Sequence, residues 1–344
     1  MREVLVPLEI DPAPAPPGSR LLALSGVAMG SDWSARLMLA PASASASGLQ
    51  AALQAELDRV VAQMSHWIET SLLSRYNRAP AGSWHALPPQ FFEVIGYALS
   101  VAEASGGAYD PAAGALVNLW GFGAAGRYDQ AGFYAPAPHA VAAVMAGRRA
   151  AQPVLDRGGR RLLQPGGAVL DLSAVAKGYA VDRMALCLED HGVQHYLVEA
   201  GGELRGAGVK ADGQPWWVEI EGVPDTNAGR AGHAALQPLL ALHGLAVATS
   251  GDYRRHFRHA GRRVSHTLDP RSGQPIANGV ASTTVIATTC MAADALSTAL
   301  TVLGPQAGLA WAERQGVAAR LLVRGGAAGA LAEITSSAWR ALLQ

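Results

Sequence analysis

The sequence predicts an α+β fold, and three features of its pattern support that class. The middle of the 344-residue chain is rich in short candidate strands. Candidate helices precede and follow these strands rather than alternating with them, and glycine or proline turns separate the strands. A doubly wound sheet would require a regular β-α-β series, so α+β is favoured. At roughly 150 residues per domain, the length allows two lobes.

Helices are predicted where apolar residues recur at spacings of three and four, because that spacing places them on one helical face. Leu49, Leu53 and Leu57 show this spacing in the first helix. Gly106 and Gly192 end two of the helices. The predicted helices span about 48–66, 91–102, 139–149, 173–191, 291–303 and 305–315.

Strands are predicted where short apolar runs are bounded by turn residues. Residues 21–28 are expected to form a buried strand that continues past a bend. The segment 108–123 is dense in glycine and aromatic residues and is expected to be a shaped loop. The other predicted strands span 153–157, 161–164, 168–171, 195–199, 203–208, 216–221, 239–248, 262–267, 280–287, 319–323 and 331–336.

The domain organisation is expected to be simple. Four prolines lie between residues 11 and 18, which predicts that residues 1–20 form an extended leader. Residues 21–344 are expected to form a single domain, with two lobes as an open alternative.

Composition excludes several classes of protein. The chain carries 27 basic and 27 acidic residues, and zero net charge without a basic block argues against nucleic acid as a main partner. Cys187 and Cys290 are too few for a disulfide framework and are expected to be small buried residues. No apolar run is long enough to span a membrane, so no membrane span is expected. Without a signal-peptide pattern, the chain as given is expected to be cytoplasmic, or periplasmic if an export segment was removed.

The segment Asp171 to Asp182, DLSAVAKGYAVD, places polar groups at the start of a predicted helix. Ser173 is a candidate N-cap. The N–H groups at such a start attract anions, and Lys177 adds a positive charge one turn inside, so a phosphate-bearing ligand is expected. A capped surface helix with a solvated lysine is the alternative.

A second group of polar residues lies on a later predicted helix. Asp294, Ser297 and Thr298 stand at i, i+3 and i+4, so their oxygens share one face and suit a hard cation such as Mg²⁺. An aspartate that merely complements the helix dipole is the alternative. His266, just before an Asp-Pro turn, is the best general-base candidate, against the alternative of a half-exposed strand histidine. Motifs for zinc sites, α/β-hydrolases, P-loops and dinucleotide folds are missing from the sequence.

Eight segments together resemble the ApbE family of flavin transferases, the FAD:protein FMN transferases. They occur in the family's order and cover most of the chain from Met29 to about Gly304. The segments are Met29-Gly30, MSHW at 64–67, AYDPAAGALVNLWGFG at 108–123, DLSAVAKGYAVD at 171–182, GG at 201–202, TSGDY at 249–253, SHTLDPRSG at 265–273 and ADALSTALTVLG at 293–304.

This resemblance implies a fold, a reaction and a set of site residues. The fold would be α+β, with mixed sheets, flanking helices and two closely associated lobes around a flavin cleft. The reaction would be Mg²⁺-dependent transfer of FMN from FAD to a Ser or Thr hydroxyl of an acceptor flavoprotein, with release of AMP. His266 would be the base that activates the hydroxyl. The implied FAD contacts are Met29, Trp67, Ala108, Tyr109, Asp110, Asp171, Lys177 and Leu268, and the implied Mg²⁺ ligands are the Ala174 carbonyl, Asp294, Ser297 and Thr298.

Departures from the family pattern leave two other functions open. Ser297 stands where some members have an aspartate, which could weaken metal binding. Glu203 in a Gly-Gly-Glu sequence replaces the usual aspartate, and Ala112 replaces a threonine. One alternative is therefore a flavin-binding or flavin-carrier protein without turnover. The other is an FAD pyrophosphatase that uses water and releases FMN and AMP.

Overall fold

A computed structural model describes residues 2–11, 13–41, 44–223, 237–253, 255–325 and 330–344. The chain divides into two compact units. The first comprises Met1–Asp58, Lys177–Tyr253 and Gly279–Gln344, and the second comprises Arg59–Ala176 and Arg254–Asn278.

The elements are numbered in chain order. The helices are α1 (Ala46–Met64), α2 (Leu72–Asn77), α3 (Pro89–Ala104), α4 (Gly114–Leu119), α5 (Pro138–Ala150), α6 (Ala176–Asp190), α7 (Cys290–Leu303), α8 (Pro305–Gln315) and α9 (Ser337–Arg340). The strands are β1 (Val4–Leu5), β2 (Arg20–Ala28), β3 (Ser31–Leu39), β4 (Ser83–Ala86), β5 (Val154–Asp156), β6 (Arg161–Gln164), β7 (Tyr196–Ala200), β8 (Glu203–Ala207), β9 (Trp216–Glu219), β10 (Leu239–Leu242), β11 (Leu245–Gly251), β12 (His256–His259), β13 (Arg262–Ser265), β14 (Leu268–Asp269), β15 (Gln274–Pro275), β16 (Val280–Ala287), β17 (Ala318–Gly325) and β18 (Ala330–Thr335).

The first unit is built on an eight-stranded sheet of order β18-β17-β16-β11-β8-β7-β3-β2, in which each neighbouring pair is antiparallel. Helices α7 and α8 cover one face, where Val285 of β16 packs with Leu300 and Trp311. The next residue of β16, Ile286, faces the other side and packs with Trp339. Because β16 is covered on both faces, all of its residues except Ala287 are buried.

The second unit combines helices with small sheets. It holds a three-stranded sheet of order β4-β6-β5 and the two-stranded pairs β12-β13 and β14-β15. Its aromatic core includes Trp120, Phe122, Val264 and Leu268. The antiparallel sheets and separate helices of both units confirm the predicted α+β class.

The periodicity-based helices are all present, but the helix predicted from Ser173 begins later. Residues 173–175 form a turn in which the N–H groups of Val175 and Ala176 donate to the Leu172 carbonyl at 3.1 and 2.8 Å. The helix α6 starts only at Ala176. Val181, Met184, Ala185 and Leu188, whose spacing places them on one face of this helix, are fully buried.

The predicted strand at 168–171 was wrong because side chains and a neighbouring turn satisfy its backbone. The Asn77 side-chain amide forms two hydrogen bonds with the backbone of Leu170. Its Nδ2 donates to the Leu170 carbonyl at 2.9 Å, and its Oδ1 accepts from the Leu170 N–H at 2.8 Å. The Val169 carbonyl accepts from the N–H of Gly114 at 3.0 Å. Little hydrogen-bonding capacity is left for a ladder.

Three other predictions also need correction. The segment 108–123 is not a loop throughout, because the Asp110 side chain accepts from the N–H of Ala112 at 2.7 Å and starts a 3₁₀ turn that leads into α4. The strand predicted over 239–248 is two strands, separated by Gly244 at φ +70°. Strand β2 lies at the sheet edge rather than in the core, with Leu21 61% and Val27 67% exposed.

Residues 4 and 5, within the predicted leader, form β1. This strand pairs in parallel with β10, and Leu5 is fully buried. Both cysteines are buried free thiols, as predicted. In the described part of the chain, no helix combines the length and apolarity that a membrane crossing requires.

Candidate active site

In the first unit, a buried carboxylate holds the lysine that was predicted to face an anion. Nζ of Lys177, in the first turn of α6, donates to Oε1 of Glu203 at the start of β8. The Glu203 side chain is only 4% exposed, and its Oε2 is buried without a hydrogen-bond partner among the described residues. Lys177 is therefore paired with a buried acid, while 36% of its side chain stays exposed to solvent.

Burial and charge shift the pKa values of this pair. Burial raises the pKa of Glu203 to about 7, although the Lys177 charge opposes the rise. Burial alone would lower the pKa of Lys177, but the carboxylates of Glu203 and Asp294 outweigh it and raise that pKa. Lys177 therefore stays charged, and its charge is shared between two buried acids.

Asp294 is positioned by the close approach of α6 and α7. Its Oδ2 accepts a hydrogen bond from the N–H of Gly178 at 2.9 Å. A Cβ at position 178 would lie 2.2 Å from the Cys290 carbonyl oxygen and 2.8 Å from Cβ of Asp294, so only glycine allows this approach. Burial raises the pKa of the Asp294 carboxyl, while Lys177 opposes the rise. A cation would relieve the cost of burying this carboxylate.

Asp182, at the end of the Asp171–Asp182 segment, fixes the start of α7. It accepts from the backbone N–H groups of Cys290 at 2.9 Å and Met291 at 2.8 Å, and its charge is paired with Arg205 at 2.7 Å. Sequence reasoning did not assign it a role. The available signal was a carboxylate beside Val181 on a helix that is otherwise apolar on that side.

Three hydroxyls beside Asp294 form a directed chain. Ser297 Oγ donates to the Asp294 carbonyl at 2.9 Å. Since a hydroxyl has one hydrogen, the 2.7 Å contact requires Ser250 to donate to Ser297. Thr298 must then donate to Ser250 across 3.0 Å. The lone pairs of Thr298 Oγ1 stay available for a cation, whereas Ser297 is engaged as both donor and acceptor.

These groups fit a magnesium ion. Mg²⁺ prefers oxygen ligands and usually takes few of them from protein. Asp294 offers a carboxylate and Thr298 a hydroxyl on the same face of α7. Among the described residues, no group of three or more His, Cys, Asp or Glu could hold a metal, so a softer, ligand-rich site is not offered there.

In the second unit, His266 is oriented by a backbone carbonyl. Its Nδ1 lies 3.1 Å from the Arg255 carbonyl oxygen. A carbonyl only accepts, so Nδ1 carries the hydrogen and, in the neutral ring, Nε2 carries the basic lone pair. The Phe122 ring packs edge-on against His266, with ring centroids 6.2 Å apart. The geometry suits a general base that acts through Nε2.

Asp171, a predicted FAD contact, lies with a Ser and a His that do not form a catalytic triad. His66 Nδ1 is 3.5 Å from Asp171 Oδ1 and 3.4 Å from Ser173 Oγ. A triad requires the acid and the nucleophile on opposite ring nitrogens, and here both face the same one. The neighbouring Trp67 is 43% exposed, so its ring is available for stacking on a planar ligand.

The other predicted FAD contacts have different surroundings. Asp110 is paired with Arg148. Ala108, Tyr109 and Leu268 are buried. Met29, in the first unit, forms the β2-β3 turn with Gly30 and takes φ +53°, which is uncommon for a residue with a side chain. Ala174, in the second unit, is partly buried in the turn before α6.

Comparison with known proteins decides the family. The model described as "ApbE family" matches residues 29–321, which is most of the chain. The chain belongs to the ApbE family. The resemblance predicted from the sequence segments is thus confirmed.

The similarity to individual ApbE proteins extends over most of both partners. A protein named FAD:protein FMN transferase from Klebsiella pneumoniae is 35% identical over 317 residues, covering 91% of this chain and 87% of the relative. One of the same name from Vibrio cholerae is 36% identical, covering 88% and 87%. The crystal structure of the Pseudomonas stutzeri flavinyl transferase ApbE superposes with a TM-score of 0.83 at 38% identity, covering 94% of this chain and 97% of that one.

Proposed function

We propose that this chain is an FAD:protein FMN transferase. The observation that carries the proposal is the similarity to enzymes of that name along most of both chains. The local chemistry supports it, because His266 has an oriented base nitrogen and Asp294 lies next to an available hydroxyl oxygen. Lys177 adds a permanent positive charge near Asp294. These are the groups that phosphoryl transfer uses.

The proposed reaction exchanges one P–O bond for another. The oxygen of a Ser or Thr hydroxyl on the acceptor attacks the phosphorus of the FMN half of FAD. The bond from that phosphorus to the bridging oxygen breaks, and AMP leaves with that oxygen. The hydroxyl proton passes to Nε2 of His266, which makes the oxygen a better nucleophile.

Residues of different chemistry are proposed to bind FAD. Trp67 would stack on a planar ring, and Lys177 would attract the pyrophosphate. Ala108, Tyr109 and Leu268, which are buried, would line the site. The full proposed set is Met29, Trp67, Ala108, Tyr109, Asp110, Asp171, Lys177 and Leu268.

Asp294 and Thr298 are the residues we propose to hold Mg²⁺. When bound there, the ion would neutralise charge that builds up on the phosphate oxygens. Ser297, whose hydroxyl donates to the backbone carbonyl of Asp294 and accepts from Ser250, is assigned the role of keeping Ser250, the hydrogen-bond partner of Thr298, in place. Direct ligation by Ser297 and by the Ala174 carbonyl stays a prediction of the family resemblance. A cytoplasmic location, or a periplasmic one if an export segment was removed, stays a prediction from the sequence.

The test is to incubate the chain with FAD, Mg²⁺ and an acceptor domain that carries a Ser/Thr flavinylation motif. Intact-mass spectrometry should show the acceptor heavier by one FMN, with one AMP released per adduct. Release of FMN and AMP without an adduct would instead identify a pyrophosphatase. Recovery of intact FAD after long incubation with several such acceptors would identify a binding protein and overturn the proposal.

A further inference from the structure

The hairpin β12-β13 and its flanks form a strongly basic segment in a chain that is neutral as a whole. Residues 253–268 contain five arginines and three histidines and no acidic residue. The sequence-based expectation of a chain without a basic block is therefore wrong for this segment. Arg254 lies outside the described residues.

The hairpin has one apolar and one basic side. Phe257 pairs with Val264, and both belong to the aromatic core of the second unit. The next pair in the register is Arg258 with Arg263, and alternation along a strand turns these side chains to the opposite face. Arg258, Arg262 and Arg263 are all exposed. Phe257 and Val264 anchor the hairpin. Arg262 lies next to the turn on the same side as Phe257, and it remains in solvent like the two arginines of the opposite side.

This arrangement is electrostatically costly within the protein itself. Like charges directly opposite each other destabilise a strand pair. The nearest acids along the chain are engaged elsewhere: Asp252 is bound by Arg324 at 2.6 and 2.7 Å, and Asp269 by Arg271 at 2.9 Å. In the described part of the chain, Arg258 and Arg262 form no ion pair. Exposed arginines such as these two, without an ion pair in the described part of the chain, are expected where a negatively charged partner binds.

One acid does face the edge of the hairpin. Asp129 is paired with Arg127, and this contact is the main cause of its lowered pKa, with a smaller contribution from Arg255. Asp129 therefore balances part of the charge near Arg255. It leaves the charges of Arg258 and Arg262 uncompensated.

The position of the hairpin indicates what the partner is. The backbone of Arg255, just before β12, accepts hydrogen bonds from both the N–H and Nδ1 of His266 at 3.2 and 3.1 Å, and β13 ends one residue before His266. The hairpin thus begins and ends at the proposed base. An acceptor hydroxyl must come within about 3 Å of that base, so the chain on either side of it must pass over adjoining residues.

We propose that the β12-β13 hairpin docks an acidic segment of the acceptor protein, next to the hydroxyl that receives FMN. The proposal rests on the proposed transferase function. Each strand has four residues and spans about 13 Å, which matches a short stretch of extended peptide. The rest of the chain carries 22 basic and 27 acidic residues, so the longer basic track that a nucleic acid requires is not indicated.

Binding is tested on the whole chain without FAD or Mg²⁺. The probe is a fluorescent synthetic peptide with one threonine flanked on both sides by Asp and Glu, and the matched probe carries Asn and Gln instead. Anisotropy should show that the acidic peptide binds more tightly at low salt. Arg258→Glu should weaken its binding roughly three- to tenfold, and Arg258→Glu with Arg262→Glu still more.

The matched control is Arg149→Glu, an exposed arginine of α5 in the same unit, which changes the net charge equally. It should leave acidic-peptide binding unchanged. An equal loss in both variants, or none in either, overturns the proposal. The proposal is also overturned if the chain binds phosphatidylglycerol vesicles or a short single-stranded DNA as tightly as the acidic peptide.

Turnover separates this proposal from the one on which it rests. In Arg258→Glu, the KM for an acidic acceptor should rise while kcat at saturating acceptor and the KM for FAD stay unchanged. For an acceptor with Lys in place of the flanking acids, Arg258→Glu should have a lower KM than the wild type. An unchanged KM for the acceptor contradicts the docking surface alone. If the wild-type chain transfers FMN to no acceptor while the peptide preference persists, the transferase proposal fails and the acidic-peptide surface remains.

Discussion

At the scale of single residues, the direction of hydrogen bonds distinguishes side chains that the sequence presents as equivalent. Asp294, Ser297 and Thr298 were predicted together from their spacing. The structure gives Ser297 a donor role toward the Asp294 carbonyl and leaves the oxygen of Thr298 available. Spacing could not reveal this, because Ser250 comes from β11, far away in the sequence.

Thr298→Val and Ser297→Ala should therefore have different effects. Thr298→Val keeps the shape of the side chain but removes the available oxygen, so the Mg²⁺ concentration for half-maximal transfer should rise roughly tenfold or more. Ser297→Ala should change it less, while lowering stability by about 1 kcal/mol through the lost hydrogen bond. Mg²⁺ titration of transfer and urea unfolding measure the two effects. The reverse order would make Ser297 the ligand.

Glu203 makes stability depend on pH in a defined direction. Its pKa in the folded protein is raised from 4.5 to about 7, so the fold favours the protonated carboxyl. The stabilisation from this shift is present below about pH 4.5 and is lost as the pH rises through about 7. Glu203→Gln cannot ionise and lacks this dependence.

The informative quantity is the free energy of unfolding of the wild type minus that of Glu203→Gln. It should become less favourable to the wild type as the pH rises from about 5 to about 8. Urea unfolding of both proteins at several pH values, without Mg²⁺ and FAD, measures it. A difference that grows with pH would mean that the ionised form, paired with Lys177, is the favoured one.

At the scale of elements, helices α6 and α7 together position the cationic and acidic groups of the first unit. Asp182 of α6 holds the first N–H groups of α7, and the N–H of Gly178 holds Asp294 of α7. Each helix was predictable from its own apolar period. Their close approach was not, because it depends on a glycine whose neighbours come from a distant part of the chain.

Gly178→Ala should damage both the fold and the site. The added Cβ would meet the Cys290 carbonyl at 2.2 Å, so the helices must separate, at a cost of about 2 to 3 kcal/mol. Transfer should fall because Asp294 loses its anchor. The matched control is Gly147→Ala in α5, where nothing lies within 4 Å of the new Cβ and stability should rise by about 0.5 to 1 kcal/mol. Equal effects in the two variants would show that the α6-α7 approach is loose.

Strand predictions failed where the decisive contacts were not local. Residues 168–171 have a strand-like sequence, but the side chain of Asn77 forms hydrogen bonds with both the N–H and the carbonyl of Leu170. The run 239–248 has one apolar pattern, but Gly244 turns the chain from β10, which pairs with β1 and β9, into β11 of the eight-stranded sheet. Hydrophobic pattern predicts that a segment is buried, and it does not predict which groups complete its hydrogen bonds.

At the scale of the whole molecule, the order of the segments identified the family that no single motif could. Eight short segments in the family's order predicted ApbE, and the family match over residues 29–321 confirms it. Net charge was a poorer guide at this scale. A net charge of zero does not show that arginines are concentrated in the β12-β13 hairpin. The structure places this hairpin beside His266.

The central claim is FMN transfer from FAD with His266 as the base, and one comparison tests it most directly. Wild type and His266→Ala are each incubated with FAD, Mg²⁺ and the acceptor, and the acceptor mass and released AMP are followed over time. Wild type should give adduct and AMP in equal amounts. His266→Ala should still bind FAD but form adduct roughly 10² to 10⁴ times more slowly. Undiminished transfer by His266→Ala, or AMP release by wild type without any adduct, would contradict the account.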